Sequence, residues 1–176
     1  MPDRPDSALG FFPPAQVAQV VNRWRRLYDP YVDSIEPHIT LVYPLNLTVE
    51  EWQTRRAAFA ACLEGFAPFK ILITRLNRFL SPALVLWLQP EDGGTIVRMH
   101  RQLEEHFPAY IQPPPPPFSF VPHMTVGFFD TLENLEAAQQ KIAADLTRLE
   151  FEVSELVFAA ETEQGKWGRV DGISLG

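Results

Sequence analysis

The stretches Pro37-His38-Ile39-Thr40-Leu41 and Pro122-His123-Met124-Thr125-Val126 spell one pattern twice: proline, histidine, an apolar residue, threonine and an apolar residue. Because side chains along a β-strand alternate between the two faces of a sheet, each histidine shares a face with the threonine two positions later. The apolar residues between and after them then point into a core. Each of these His-x-Thr stretches therefore predicts a strand that presents an imidazole and a hydroxyl to one side.

Length and composition favour a folded domain. The chain has 176 residues, 46% of them hydrophobic and 12% aromatic, which is enough for a packed core. The formal net charge of -7 argues against a broad surface that follows nucleic-acid phosphates, but not against a small pocket for a nucleotide end. The single cysteine excludes an intrachain disulfide. The first residues contain no apolar run, so we expect no signal peptide, no membrane helix and a cytoplasmic location.

Hydrophobic periodicity and turn residues predict alternating strands and helices. Mixed strands and helices with hairpins indicate an α+β fold. One His-x-Thr stretch in each half predicts two pseudo-symmetric lobes within a single domain, residues 1–176. The predicted elements are strand 8–12, a helix ending near residue 29, strand 38–43, a helix opened by a Thr48/Glu51 capping box, strands 69–74 and 84–88, a helix after Gly93-Gly94, strand 121–128, a helix capped by Asp130 and Glu133, and closing strands 151–159 and 169–175.

Paired histidines suit acid–base chemistry on a phosphate. The unperturbed pKa of histidine lies near neutrality, so one imidazole can take a proton from an attacking water or hydroxyl. The second imidazole can protonate the leaving oxygen, while the threonine hydroxyls hold the non-bridging phosphate oxygens. This scheme uses no metal and no cofactor. His100 and His106 lack a cysteine or carboxylate at ligand spacing, so structural roles are favoured over a metal site.

Further segments match a known family. They are Leu9-Gly10-Phe11-Phe12, the pair Arg78-Phe79 followed by Leu84-Val85-Leu86-Trp87-Leu88, and the closing strands. With the two His-x-Thr stretches, they resemble the 2H phosphoesterase superfamily, in the branch of bacterial 2′-5′ RNA ligase-like proteins and cyclic phosphodiesterases. The resemblance covers nearly the whole chain, from about Leu9 to Leu175.

This resemblance implies a bilobal α+β fold with two antiparallel sheets flanking a central groove and helices outside. By resemblance, the groove is lined by the catalytic residues His38, Thr40, His123 and Thr125. It also implies metal-independent opening of a 2′,3′-cyclic phosphate on a nucleotide or RNA end, with His123 as base and His38 as acid. RNA 2′-5′ ligation or its reverse, and a non-catalytic nucleotide-binding module that keeps the groove, stay open as alternatives.

The chain departs from the family at one position. Many relatives carry an arginine three residues after the second threonine, where this sequence has Phe128. A less positive groove favours a small cyclic nucleotide or RNA terminus, or a substrate still less like RNA, over long RNA. Tyr43 follows the first His-x-Thr stretch on the Ile39 face, so the alternation predicts a core position.

Three residues outside the His-x-Thr stretches are candidates for substrate binding: Arg78, Trp167 and Arg169. Trp167 lies beside basic residues in a turn-like segment, where an indole can stack on a base. For the arginines, ordinary solvated charge is an equally good interpretation. The five-proline run from Pro113 to Pro117 predicts a rigid, extended loop that places the second His-x-Thr stretch. We expect a monomer.

Overall fold

The structure is a computed structural model that describes residues 7–163 and 165–176. Within these residues the chain alternates strands and helices much as the periodicity predicts. The elements are β1 (Ser7–Phe11), α1 (Ala15–Tyr28), β2 (Ile39–Val42), α2 (Val49–Cys62), β3 (Phe69–Phe79), β4 (Leu84–Glu91), α3 (Thr95–His106), β5 (Met124–Phe129), α4 (Leu132–Asp145), β6 (Leu149–Val153), β7 (Glu155–Glu163) and β8 (Lys166–Ser174).

The strands form two four-stranded sheets in which every neighbouring pair is antiparallel. The strand orders are β2-β1-β7-β8 and β5-β4-β3-β6. The two His-x-Thr stretches supply β2 and β5, which are edge strands of different sheets and lie in contact with each other. The predicted α+β fold with two antiparallel sheets is therefore confirmed. The division of residues 1–176 into two pseudo-symmetric lobes of one domain stays a prediction.

The register of both edge strands is set by their buried residues. Ile39, Leu41, Met124 and Val126 are fully buried, while the histidines and threonines of the two stretches are half-buried. A slip of one residue would bury the polar side chains and expose the apolar ones, so hydrophobic burial stabilises this register. The alternation predicted from the sequence is confirmed in both strands.

The cap of α2 follows the prediction and that of α4 does not. The Thr48 hydroxyl accepts from the Glu51 N–H, and the Glu51 carboxylate accepts from the Thr48 N–H, which completes the capping box. The prediction of Asp130 and Glu133 as the cap of α4 is wrong, because the N-cap is Thr131, whose hydroxyl accepts from the backbone N–H of Asn134.

The single closing strand predicted over 151–159 is two strands. The chain leaves β6, which pairs with β3, and enters β7, which pairs with β1 and β8 in the other sheet. The crossing falls at Ser154, whose carbonyl accepts from the N–H of Leu175. The alternation of apolar and polar residues breaks at this crossing, because Ser154 and Glu155 are adjacent polar residues where the alternation of Phe151 and Val153 requires an apolar one at 155. Gln164, between the two predicted closing strands, and the segment before Ser7 lie outside the described residues.

None of the helices in 7–163 and 165–176 combines the length and apolar character needed to cross a bilayer.

A candidate active site between the two His-x-Thr strands

Each histidine is held by the backbone two residues before it. His38 Nδ1 lies 2.8 Å from the Glu36 carbonyl oxygen, and His123 Nδ1 lies 2.7 Å from the Val121 carbonyl oxygen. A carbonyl oxygen only accepts, so Nδ1 donates in both rings, and the neutral imidazole then carries its lone pair on Nε2. The two His-x-Thr strands therefore present the same tautomer.

Aromatic rings flank both imidazoles. The Phe12 ring centroid lies 5.8 Å from that of His38, and Phe79 and Trp87 lie 5.2 Å and 6.0 Å from His123. The Trp87 Nε1 atom is buried without a hydrogen-bond partner among the described residues. These apolar neighbours restrict the rotation of both imidazoles and remove much of the water around them.

Burial lowers the pKa of both histidines below the ordinary value of 6.5, although the carbonyl bonded to each Nδ1 opposes this shift. For His38, the positive charges of Arg25 and of protonated His123 lower the pKa further, while Asp29 raises it. Both rings are therefore predominantly neutral at neutral pH.

A cavity of about 310 Å³, here named the aromatic chamber, opens beside His38. Thr40 and Thr125 both line it, so the threonines of the two His-x-Thr strands border one space. Most of its wall is apolar, and the aromatic side chains that line it are Phe12, Tyr31, Tyr43, Phe128 and Trp167.

A second cavity of about 500 Å³, here named the proline chamber, opens beside His123. Its walls include Phe79, Phe120 and the first three residues of the five-proline run. Thr40 and Tyr43 line both chambers, which therefore adjoin at the first His-x-Thr strand. Each histidine thus lines a different chamber, and Thr40 borders both chambers.

A buried ion pair lines the aromatic chamber. Arg25 Nε donates to the Asp29 carboxylate at 2.7 Å, and both side chains are 3% exposed. The same pair fixes the backbone of Tyr31, since Asp29 accepts from its N–H and Arg25 donates to its carbonyl. The Tyr31 ring then packs edge-on against Phe128 of β5, with centroids 5.5 Å apart. The pair therefore positions one wall of the chamber.

Arg169 is engaged with residues that surround His38. Its Nε donates to the Glu36 carboxylate at 2.6 Å, and its guanidinium lies 4.4 Å from the centroid of the Phe12 ring. Glu36 provides the carbonyl that holds His38, and Phe12 packs beside the same imidazole. Arg169 therefore ties β8 to the segment that orients His38.

The structure brings together some of the sequence-predicted binding residues. Trp167 lines the aromatic chamber, and its ring packs edge-on against Tyr43 at 6.0 Å. Arg78 lies outside the site, since its guanidinium donates to Glu136 and Gln139 on α4. Side chains alternate along β3, so Arg78 and its neighbour Phe79 point to opposite faces of the sheet, and it is Phe79 that contacts His123. We therefore leave Arg78 out of the candidate site.

The prediction of Tyr43 as a core residue is wrong, since its side chain is 56% exposed and lines both chambers. Strand β2 ends at Val42, so the alternation does not extend to Tyr43. For His100 the sequence favours a structural role over a metal site. His100 is buried, its Nδ1 lies 2.7 Å from the Leu41 carbonyl, and its ring stacks on Phe120. It thereby ties the edge strand β2 to α3.

Sequence reasoning missed Arg25 and Asp29. Their only signal was the four-residue spacing from Arg25 on α1 to Asp29 at the C-cap of that helix, and this spacing is common for charged pairs on solvated helices. As for metal sites, no three or more His, Cys, Asp or Glu side chains of the described segments form a group that could hold an ion.

Comparison with known proteins places the chain in a family. The model of the 2′-5′ RNA ligase superfamily matches residues 12–165, so the chain belongs to that superfamily. This confirms the resemblance to the 2H phosphoesterases. A Geobacillus kaustophilus protein named "Putative phosphoesterase" is 28% identical over 158 residues, which cover 89% of this chain and 88% of the relative. A Geobacillus thermodenitrificans protein of the same name is 26% identical, over 94% and 93% of the two chains.

The fold is also that of a solved structure. The crystal structure of Escherichia coli LigT complexed with 3′-AMP superposes with a TM-score of 0.67 at 16% identity, covering 98% of this chain and 99% of LigT. Other structures of LigT contain ATP or NADP+. At this identity the likeness concerns the fold.

Proposed function

We propose that the protein hydrolyses 2′,3′-cyclic phosphates of nucleotides or RNA ends through His38 and His123. The observation that carries this proposal is the matched tautomer of the two imidazoles, each fixed through Nδ1 to a carbonyl, beside a chamber lined by both threonines. Two such nitrogens can accept and donate protons at one phosphate, which is the requirement for opening a cyclic diester.

In the proposed reaction His123 Nε2 accepts a proton from water as the water oxygen bonds to phosphorus. The bond from phosphorus to one ribose oxygen breaks, and protonated His38 donates a proton from Nε2 to that oxygen. The product is a nucleoside monophosphate with one free hydroxyl. Thr40 and Thr125 donate hydrogen bonds to the non-bridging oxygens and align the phosphate. Because the imidazoles form a coupled pair, the reverse reaction exchanges their roles.

The proposed position of the nucleoside follows from the chambers. The leaving oxygen stays attached to the nucleoside, so the nucleoside belongs on the side of the acid, His38. There the aromatic chamber offers Trp167 and Tyr43 as surfaces against which a base can stack. The 3′-AMP in E. coli LigT supports a nucleotide as the ligand class.

The direct test incubates the wild-type protein with the four nucleoside 2′,3′-cyclic phosphates, with and without EDTA, and measures the monophosphate products. We expect turnover that EDTA leaves unchanged. Turnover that disappears with the chelator would contradict the two-histidine mechanism. Binding of these nucleotides without any product would instead support a non-catalytic nucleotide-binding module.

The pH dependence follows from the direction of the pKa shifts. The base must be neutral, so the rate falls as pH drops below its lowered pKa. The acid must be protonated, so the rate falls as pH rises above its own lowered pKa. Both pKa values lie below the ordinary 6.5, and we therefore expect a bell-shaped kcat/KM profile with its maximum below pH 6.5. Initial rates from about pH 4.5 to about pH 8.5 measure it; a maximum above neutrality would contradict the assignment.

A second candidate is RNA 2′-5′ ligation or its reverse, and the size of the proline chamber favours it. That chamber adjoins His123 and encloses about 500 Å³, whereas a water molecule takes up about 30 Å³. An alcohol could therefore occupy the position of the attacking water. Incubation of an RNA that ends in a cyclic phosphate with an RNA that begins with a 5′-hydroxyl separates the two candidates, because only ligation gives a joined 2′-5′ product.

A further inference from the structure

We infer that the site selects substrates in which the reacting phosphate is the only phosphate, such as a cyclic mononucleotide with a free 5′-hydroxyl. This inference rests on the proposed function and narrows its substrate class. It predicts discrimination against 5′-phosphorylated nucleotides and against RNA chains, which carry a further phosphate next to the terminal nucleoside.

The first ground is the charge of the chamber walls. Among the described residues that line either chamber, Arg25 is the only arginine or lysine, and its charge is offset by Asp29 at 2.7 Å. Both side chains are buried, and the Arg25 guanidinium already donates to the Asp29 carboxylate and to the backbone carbonyl of Tyr31. The described lining therefore offers no uncompensated permanent cation to a second phosphate.

The second ground is the charge just outside the aromatic chamber. Arg169 is bound to Glu36 at 2.6 Å, and Lys166 Nζ donates to the carbonyl of Asp33 at 3.1 Å. Asp33 and Glu36 are both exposed and lie on the segment that precedes His38. At this edge of the aromatic chamber two carboxylates, Asp33 and Glu36, balance the two cations Lys166 and Arg169. Coulomb attraction would therefore contribute little to the binding of a second phosphate there.

The third ground is the surface that the chamber does offer. Its aromatic walls suit an uncharged planar group, and its hydroxyls, Thr40 and Thr125, suit one phosphate. The histidines are mainly neutral near neutral pH, and the proton that His38 carries in the proposed reaction serves the reacting phosphate. One monoanionic cyclic phosphate attached to one base therefore matches the chamber, and each further phosphate would lose hydration without gaining a partner.

The test compares adenosine 2′,3′-cyclic phosphate with its 5′-phosphorylated form, which differ by one phosphate. We expect kcat/KM to be at least about fivefold higher for the form without the 5′-phosphate, the size of effect that a few screened charge pairs give. Equal values, or a preference for the 5′-phosphorylated form, would overturn the inference.

A charge variant provides the second arm. Glu36→Gln removes one carboxylate and releases Arg169, while the backbone carbonyl that holds His38 is kept. The ratio of the two kcat/KM values should move about threefold toward the 5′-phosphorylated substrate. The ratio is the readout because it is insensitive to a general loss of activity. The matched control is Glu152→Gln on β6, an exposed residue of the other sheet that changes net charge equally. A shift no larger than that of the control would overturn the inference.

A binding measurement tests the selectivity for a single phosphate independently of the proposed reaction. Titration calorimetry with adenosine 2′-monophosphate and adenosine 2′,5′-bisphosphate needs no turnover. Tighter binding of the monophosphate supports the inference even if no cyclic phosphate is hydrolysed, in which case the proposed function alone fails. Equal or tighter binding of the bisphosphate, or binding of neither nucleotide, would overturn the inference.

Discussion

Replacing His123 with alanine is expected to lower kcat/KM for a 2′,3′-cyclic nucleotide by about 10²- to 10⁴-fold, and His38→Ala should have an effect of the same size. Each substitution removes one of the two proton transfers that the proposed reaction needs. The double variant should be little worse than either single one, because residues that act as a unit give non-additive losses. Initial rates at substrate concentrations below KM measure all three variants.

His106→Ala is the matched control for these variants. His106 is exposed at the end of α3, and its Nδ1 contacts the Gln102 carbonyl of its own helix. It lines neither chamber. We expect kcat/KM within about twofold of the wild type, as for a surface substitution remote from the site. Activity that persists in both His38→Ala and His123→Ala would rule out the two-histidine mechanism.

Arg25→Met is expected to destabilise the fold by about 3–5 kcal/mol, because it leaves the buried Asp29 carboxylate without its cation. Asp29 keeps the N–H of Tyr31 as a donor, but a single backbone bond does not compensate a buried charge. Urea unfolding at neutral pH measures the change in the free energy of unfolding. The loss should also loosen Tyr31 and with it the wall of the aromatic chamber.

The double variant Arg25→Met/Asp29→Asn tests the cause of that loss. Asparagine at position 29 is neutral and keeps an oxygen that can accept from the Tyr31 N–H. Stability should therefore recover by at least about 2 kcal/mol relative to Arg25→Met, since replacing both charges of a buried pair is often close to neutral. A double variant as unstable as the single one would mean that the packing of the Arg25 side chain, and not its charge, stabilises this region.

The sequence predicted the positions of the two site strands well because their signal is local. Alternation of polar and apolar residues depends only on strand geometry, and Ile39 and Met124 are buried as that geometry requires. Tyr43 shows where a local pattern ends. Its alternation with Ile39 predicted burial, but β2 stops one residue earlier, and the side chain becomes exposed at the junction of the two chambers.

Arg78 and Arg169 show why charged residues could not be assigned from sequence. Both were candidates for substrate binding, and solvated charge was an equally good interpretation. In the structure Arg78 forms an ion pair with Glu136 on the outer helix α4, and Arg169 forms one with Glu36 beside His38. Each partner is far away in the chain, so strand pairing and the packing of helices decide which carboxylate each guanidinium meets.

The sequence by itself determined the two His-x-Thr strands, the face that each presents and the α+β class, because these follow from periodicities of a few residues. Only the tertiary structure decided that β2 and β5 are edge strands in contact, that both threonines face one chamber, and that Arg25 and Arg169 are neutralised by carboxylates. These features depend on which distant segments pair and cross, and a pattern within one segment carries no information about its partner.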